Sequence, residues 1–169
     1  TITKDLPARS NLFNMARILQ AYAFMILTDT YGAIPYSEGG AGFTDQIFLP
    51  KYEQQQDIYP KLILEFTEAS AALNAAGTVE TADLLYAGNI AQWKKFGYSL
   101  LLRAGMRLSK VDATKAQSTV QAAFAAGVIT ANADNAYVRH DQNYLNPAGN
   151  MLNSTEAANW YLAKPFIDT

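Results

Sequence analysis

Residues 10–32 read SNLFNMARILQAYAFMILTDTYG, and the fold turns on this stretch. Leu12, Met15, Ala16, Leu19, Tyr22, Ala23 and Ile26 recur at helical spacing and mark one broad apolar face. Phe13, Ile18, Phe24, Met25 and Leu27 add apolar surface on other sides. The pattern predicts a helix from about Ser10 to Asp29, covered by neighbours on more than one face. Ser10 or Asn11 is placed to cap its start. Gly32 supplies a left-handed cap at its end, and Pro35 blocks resumption.

The same period recurs downstream. Ile58, Leu62, Phe66, Ala69 and Leu73 predict a second helix from about Glu53 to Ala76, with Pro60 near its start, where a missing N–H costs least. Asn89 caps a third, Ile90 to Lys110, with Trp93, Phe96, Leu100, Ala104 and Leu108 as its buried stripe. Gly97 and Gly105 interrupt that helix, which points to close approach of another helix there. Asp112 caps a fourth, Ala113 to Ala126, with Ala116, Val120, Ala123 and Phe124 facing inward. Residues 32–51 and 128–152 read as long irregular segments. Asn153, with Glu156 as capping-box partner, opens a last helical piece that Pro165 interrupts. No stretch alternates as a strand does. The expectation is an all-α fold of antiparallel helix pairs with long irregular loops, one helical domain over residues 1–169.

Composition narrows the function. Half the residues are hydrophobic, which places the chain among folded proteins and not disordered ones. Thirteen Lys and Arg against fifteen Asp and Glu leave a net charge of −2 with no basic block, so no nucleic-acid partner is expected. The absence of Cys excludes disulfides, cysteine zinc sites and cysteine nucleophiles. No apolar run reaches the ~18 residues of a membrane span. The polar start, without Met or a signal-peptide pattern, suggests a piece of something longer.

Catalytic chemistry finds little support. His140 is the one histidine, and no nucleophile elbow lies near it. Asp134 and Asp141 flank Asn and Ala without calcium-loop spacing. Asp29, Glu38 and Asp45 could in principle form a glycosidase pair. Asp29, however, sits at a helix C-terminus, where the dipole opposes a negative charge; it needs a local donor, and an Arg from another helix would serve. Lys94, Lys95, Arg103, Arg107 and Lys110 make the third helix basic, in keeping with a solvated face and cations at a helix C-terminus. No catalytic residue, metal ligand or cofactor is expected.

The aromatics carry the strongest signal. Ten Tyr, eight Phe and two Trp are present, and Tyr36, Phe43, Tyr137 and Tyr144 fall in loops beside Asn, Asp and Gln. Such rings suit the apolar face of a sugar while polar groups bond its hydroxyls, and these four are the candidate ligand residues. The competing reading is that each ring locks a loop onto a helix.

Several stretches taken together resemble one family. They are Ala16 to Tyr22 with Thr28 to Glu38, Pro50 to Tyr59, Ala82 to Asn89, and Trp93 to Phe96 with Ser99, Leu100, Leu102, Arg103 and Met106 to Ser109. Gly127 to Ile129 and Asn132 to Asn135 continue the pattern. In this order, over about Asn14 to Lys164, they resemble the SusD/RagB family of outer-membrane nutrient-binding lipoproteins of Bacteroidetes-type bacteria. The resemblance implies a tetratricopeptide-like scaffold and a cell-surface, lipid-anchored parent that captures a nutrient, usually an oligosaccharide. It implies a partner, a TonB-dependent outer-membrane transporter of the SusC-like kind, and no catalysis. It makes Asp29, Tyr31, Gly32 and Pro35 turn-shaping residues, and Trp93, Arg103 and Arg107 residues that hold helix pairs together. Family members are much longer and carry a lipid-anchored Cys that this chain lacks. The alternative reading is a helical-repeat protein-interaction module that binds no sugar.

Overall fold

The computed structural model describes residues 7–138 and 140. The chain divides into two compact units, Thr1–Ala136 and Tyr137–Thr169, and all the described helices lie in the first. They are α1 (Ser10–Tyr31), α2 (Gln55–Ala72), α3 (Ile90–Arg107) and α4 (Ala113–Ala126). Each packs on the next in an up-and-down order, which gives the all-α helix pairs expected. No strand occurs among the described residues; an isolated antiparallel bridge joins Ile34 to Glu53. The piece expected from Asn153 onward lies outside the described residues.

Local chemistry sets the helix ends. Asn89 Oδ1 accepts the Gln92 N–H at 3.2 Å, and Asp112 Oδ1 accepts the Lys115 N–H at 2.9 Å, so α3 and α4 begin at their expected caps. Gly32 closes α1 with φ 76° and donates its N–H to Thr28 O at 2.8 Å. Neither Ser10 nor Asn11 caps α1. Ser10 is already helical, and Asn11 is buried, donating to Asn74 O (2.9 Å) and Thr78 O (3.1 Å) while accepting the Asn74 N–H (2.9 Å). It pins the start of α1 to the connector after α2.

The buried stripe of α1 is rotated from the hydropathy pattern. Asn11, Asn14, Met15, Ile18, Ala21, Met25 and Thr28 are buried, whereas Leu19 and Ile26 are exposed, Ile26 at 44%. Three polar residues occupy the inward face because each has a bond there: Asn14 Nδ2 donates to Ser10 O, and Thr28 Oγ1 to Gly32 O. Helix α2 starts later than expected because the Glu53 backbone pairs with Ile34, and it ends earlier because Leu73 is extended and buried. Beyond Arg107, α3 tightens into a 3-10 turn at Leu108–Lys110.

The two α3 glycines meet different helices. A Cβ on Gly97 would lie 2.0 Å from Ser70 Oγ of α2, and one on Gly105 would lie 3.0 Å from the Thr119 side chain of α4. The single close approach expected is therefore two, one to each neighbour. On α4, Ala116, Thr119 and Ala123 face inward, but Phe124 is 68% exposed. Ile18, Met25, Ile58, Leu62, Phe66 and Trp93 form the core of the bundle.

Candidate functional site

The α1–α2 connection is tied down at both ends. Besides the Ile34–Glu53 bridge, the Glu53 carboxylate accepts the Ser37 N–H at 2.6 Å and pairs with Lys61, and Glu38 accepts the Lys51 N–H at 2.6 Å. Hydrogen bonds from Lys61 and Ser37 hold the Glu53 carboxyl down at about 2, well below the ordinary value. These ties fix the start of the loop, including Tyr36, against α1 and α2.

A groove of about 350 Å³ opens there, lined by Phe13, Arg17, Gln20, Ala21 and Phe24 of α1, Tyr36, Ser37 and Gly39 of the loop, and Glu65 of α2. Tyr36 packs edge-on to Phe24 with centroids 4.9 Å apart, and Lys61 Nζ sits 5.6 Å from its ring centroid. Gly39 permits this seat, since a Cβ would lie 2.4 Å from Pro35 O and 3.0 Å from the Phe24 ring. Burial, aided by the charges of Glu65 and Glu53, raises the Tyr36 phenol to about 12, so at neutral pH its hydroxyl is a neutral donor. Arg17 crosses the wall in a fixed plane: Nε bonds Glu65 at 2.8 Å, Nη2 bonds Glu68 at 3.0 Å, Nη1 bonds Asn14 at 3.3 Å, and the guanidinium lies 5.7 Å from the Phe13 ring. Rings beside fixed, planar polar groups can cover the C–H face of a sugar and bond its hydroxyls.

A larger cleft, about 660 Å³, lies where α1 ends and α2 begins, with Asp29, Tyr59, Ile63, Arg107, Leu108 and Val111 among its walls. Here Asp29 meets its donor. Arg107 Nη1 stands 2.9 Å from Asp29 Oδ2, an ion pair without hydrogen-bond alignment, and the Tyr59 hydroxyl donates to Oδ1 at 2.6 Å. Burial and then the bond to Asp29 push the Tyr59 phenol up. The arrangement compensates a carboxylate at a helix C-terminus.

Of the aromatics expected at a ligand site, Tyr36 lines the smaller groove. Phe43 is 97% exposed and lines neither cavity, Tyr137 belongs to the second unit, and Tyr144 lies outside the described residues. Trp93 is buried, with Nε1 donating to Asp83 at 2.7 Å. Asp83 also accepts backbone N–H groups of Leu85, Tyr86 and Gly88, which closes the turn before α3. Arg103 is exposed and joins no ion pair among the described residues. The sequence reading missed Phe13, Arg17, Gln20 and Phe24. Their spacing of four, three and four puts them on one side of α1, a mixed aromatic and polar stripe that was legible.

These features define a helix-pair scaffold of tetratricopeptide-like form with a small aromatic groove at its first loop. Over residues 1–169 the chain matches the SusD-like family described as "Starch-binding associating with outer membrane", and it belongs to that family. Comparison with curated proteins finds no match. Among solved structures, a chitin-binding protein is 39% identical with a TM-score of 0.75, over 82% of this chain and 29% of that one. A SusD homologue from Bacteroides uniformis is 32% identical with a TM-score of 0.76, over 86% and 30%. One from Parabacteroides distasonis is 28% identical with a TM-score of 0.79, over 92% and 31%. The chain thus spans under a third of the length of these relatives.

Proposed function

We propose that this chain is part of a longer, lipid-anchored SusD-like protein that captures an oligosaccharide at the cell surface. It then passes the ligand to a TonB-dependent, SusC-like transporter, without catalysis. Family membership supports the nutrient-binding role, and the observation that carries a sugar subsite into these residues is the Tyr36 groove. One sugar ring would lie against Tyr36 and Phe24, with Arg17, Gln20 and Glu65 bonding its hydroxyls. The starch-binding character of the family and the chitin-binding neighbour direct the first probes.

The test is calorimetric titration of this chain with a panel of neutral oligosaccharides headed by maltohexaose and chitohexaose, beside a longer protein that contains it. Saturable binding by both proteins supports a subsite here. Binding by the longer protein alone removes recognition from these residues and leaves them as scaffold. Co-purification of the longer protein with an outer-membrane barrel would support the transporter partner.

A second reading, a protein-interaction module, is favoured by the loop beyond Tyr36. Phe43, Phe48, Leu49 and Tyr52 are all exposed on it, large apolar side chains of the kind that protein contacts bury.

A further inference from the structure

The charge on the Tyr36 groove limits what it can hold. Its cation, Arg17, is already bonded to two carboxylates, Glu65 at 2.8 Å and Glu68 at 3.0 Å. Lys61, the other cation near Tyr36, is paired with Glu53 and donates to Ser37 Oγ at 3.0 Å. Arg17 and Glu65 line the groove, and counting the groups paired behind them, two cations are set against three carboxylates, a balance of one negative charge around it. An Arg poised for an acid would keep its fork open for a bidentate pair. Here Nε and Nη2, the side edge of the fork, are engaged by Glu65 and Glu68, and Nη1, which completes the end edge, is bonded to Asn14 at 3.3 Å.

We infer that the groove selects neutral sugars and rejects uronates and other anionic sugars, with Glu68 as the residue that sets this selectivity. The inference rests on the reading that the groove holds a sugar. Glu68 acts through Arg17: it does not line the groove, but it engages Nη2, the nitrogen that both bidentate edges of the guanidinium share. A neutral hydroxyl makes no such demand, because it can use the Tyr36 hydroxyl, Gln20 and the unengaged oxygen of Glu65. An unbalanced like charge several ångströms from a ligand carboxylate, across a water-facing groove, weakens its binding by about tenfold.

The experiment compares a neutral oligosaccharide from the panel with the same oligosaccharide oxidised at C6 to the uronate, by titration at low and moderate salt. The neutral form is expected to bind about tenfold more tightly, with the gap shrinking as salt screens it. Glu68→Gln is expected to narrow the gap by raising uronate affinity, and circular dichroism checks that this exposed substitution leaves the fold intact. Equal binding of the two ligands, or a gap that Glu68→Gln leaves unchanged, overturns the selectivity. Tyr36→Ala separates this failure from failure of the site: if neutral binding survives Tyr36→Ala at full strength, the sugar is not in this groove. Binding of neither ligand removes the site, and the inference with it.

Discussion

Gly97 of α3 lies so close to Ser70 of α2 that a Cβ on the glycine would stand 2.0 Å from Ser70 Oγ. Both residues are buried, and the Ser70 hydroxyl has no hydrogen-bond partner among the described residues. Two small residues thus mark a close crossing of α2 and α3. Gly97→Ala is expected to destabilise the chain by about 2 kcal/mol, because overpacking outweighs the gain in helix propensity. Denaturant unfolding checks this, and Ser70→Gly in the same background should recover part of the loss.

Asp29 and Arg107 join the end of α1 to the end of α3. Arg107→Ala would leave a mostly buried carboxylate at the negative end of a helix dipole with the Tyr59 hydroxyl as its remaining partner. The expected cost is about 2 kcal/mol, between that of a surface pair and that of a fully buried one. Arg107→Lys should recover a fraction, because an ammonium restores the charge. A stability change within 0.5 kcal/mol, roughly that of a neutral surface substitution, would count against the role.

Much of this architecture was legible because its signals are local. Asn89 and Asp112 cap helices through side chains that reach three residues ahead, and Gly32 ends one through its own positive φ. The need of Asp29 for an Arg followed from the dipole alone. Non-local facts were harder to read. Hydropathy placed Leu19 and Ile26 inside α1, but Asn11, Asn14 and Thr28 are buried instead, each with a bond that periodicity cannot foresee. Phe124 has the character of an inward residue and is exposed. The groove required Arg17 to meet Glu65, 48 positions away, and no spacing rule predicts that pairing.

Acid should weaken the fold through two carboxylates. Burial alone would raise the Asp83 carboxyl, but hydrogen bonds from the Trp93 indole and the Gly88, Leu85 and Tyr86 backbones hold it below its ordinary value. Glu53 is held at about 2 by Lys61 and Ser37. A depressed folded-state value means that stability is present above the unfolded value, about pH 4, and is lost as pH falls through the folded one. Thermal midpoints should therefore drop from about pH 4 toward pH 2. Glu53→Gln should flatten part of that decline; an unchanged profile would contradict the assignment.

The exposed side chains of the first loop and of α1 predict self-association of the isolated chain. Its mass in sedimentation equilibrium should rise with concentration. Phe43→Ser combined with Leu49→Ser should reduce that rise while leaving the helical signal intact. A monomer at all concentrations would show that these side chains are tolerated in water.

The central claim is that a sugar ring sits against Tyr36. Saturation-transfer NMR with the tightest-binding oligosaccharide of the neutral panel, followed by titration of Tyr36→Ala and Phe43→Ala, tests it most directly. The prediction is that Tyr36→Ala loses about tenfold in affinity, the equivalent of one stacking contact, while Phe43→Ala, outside the groove, binds as the original chain does. Full-strength binding by Tyr36→Ala would place the ligand elsewhere and contradict the account.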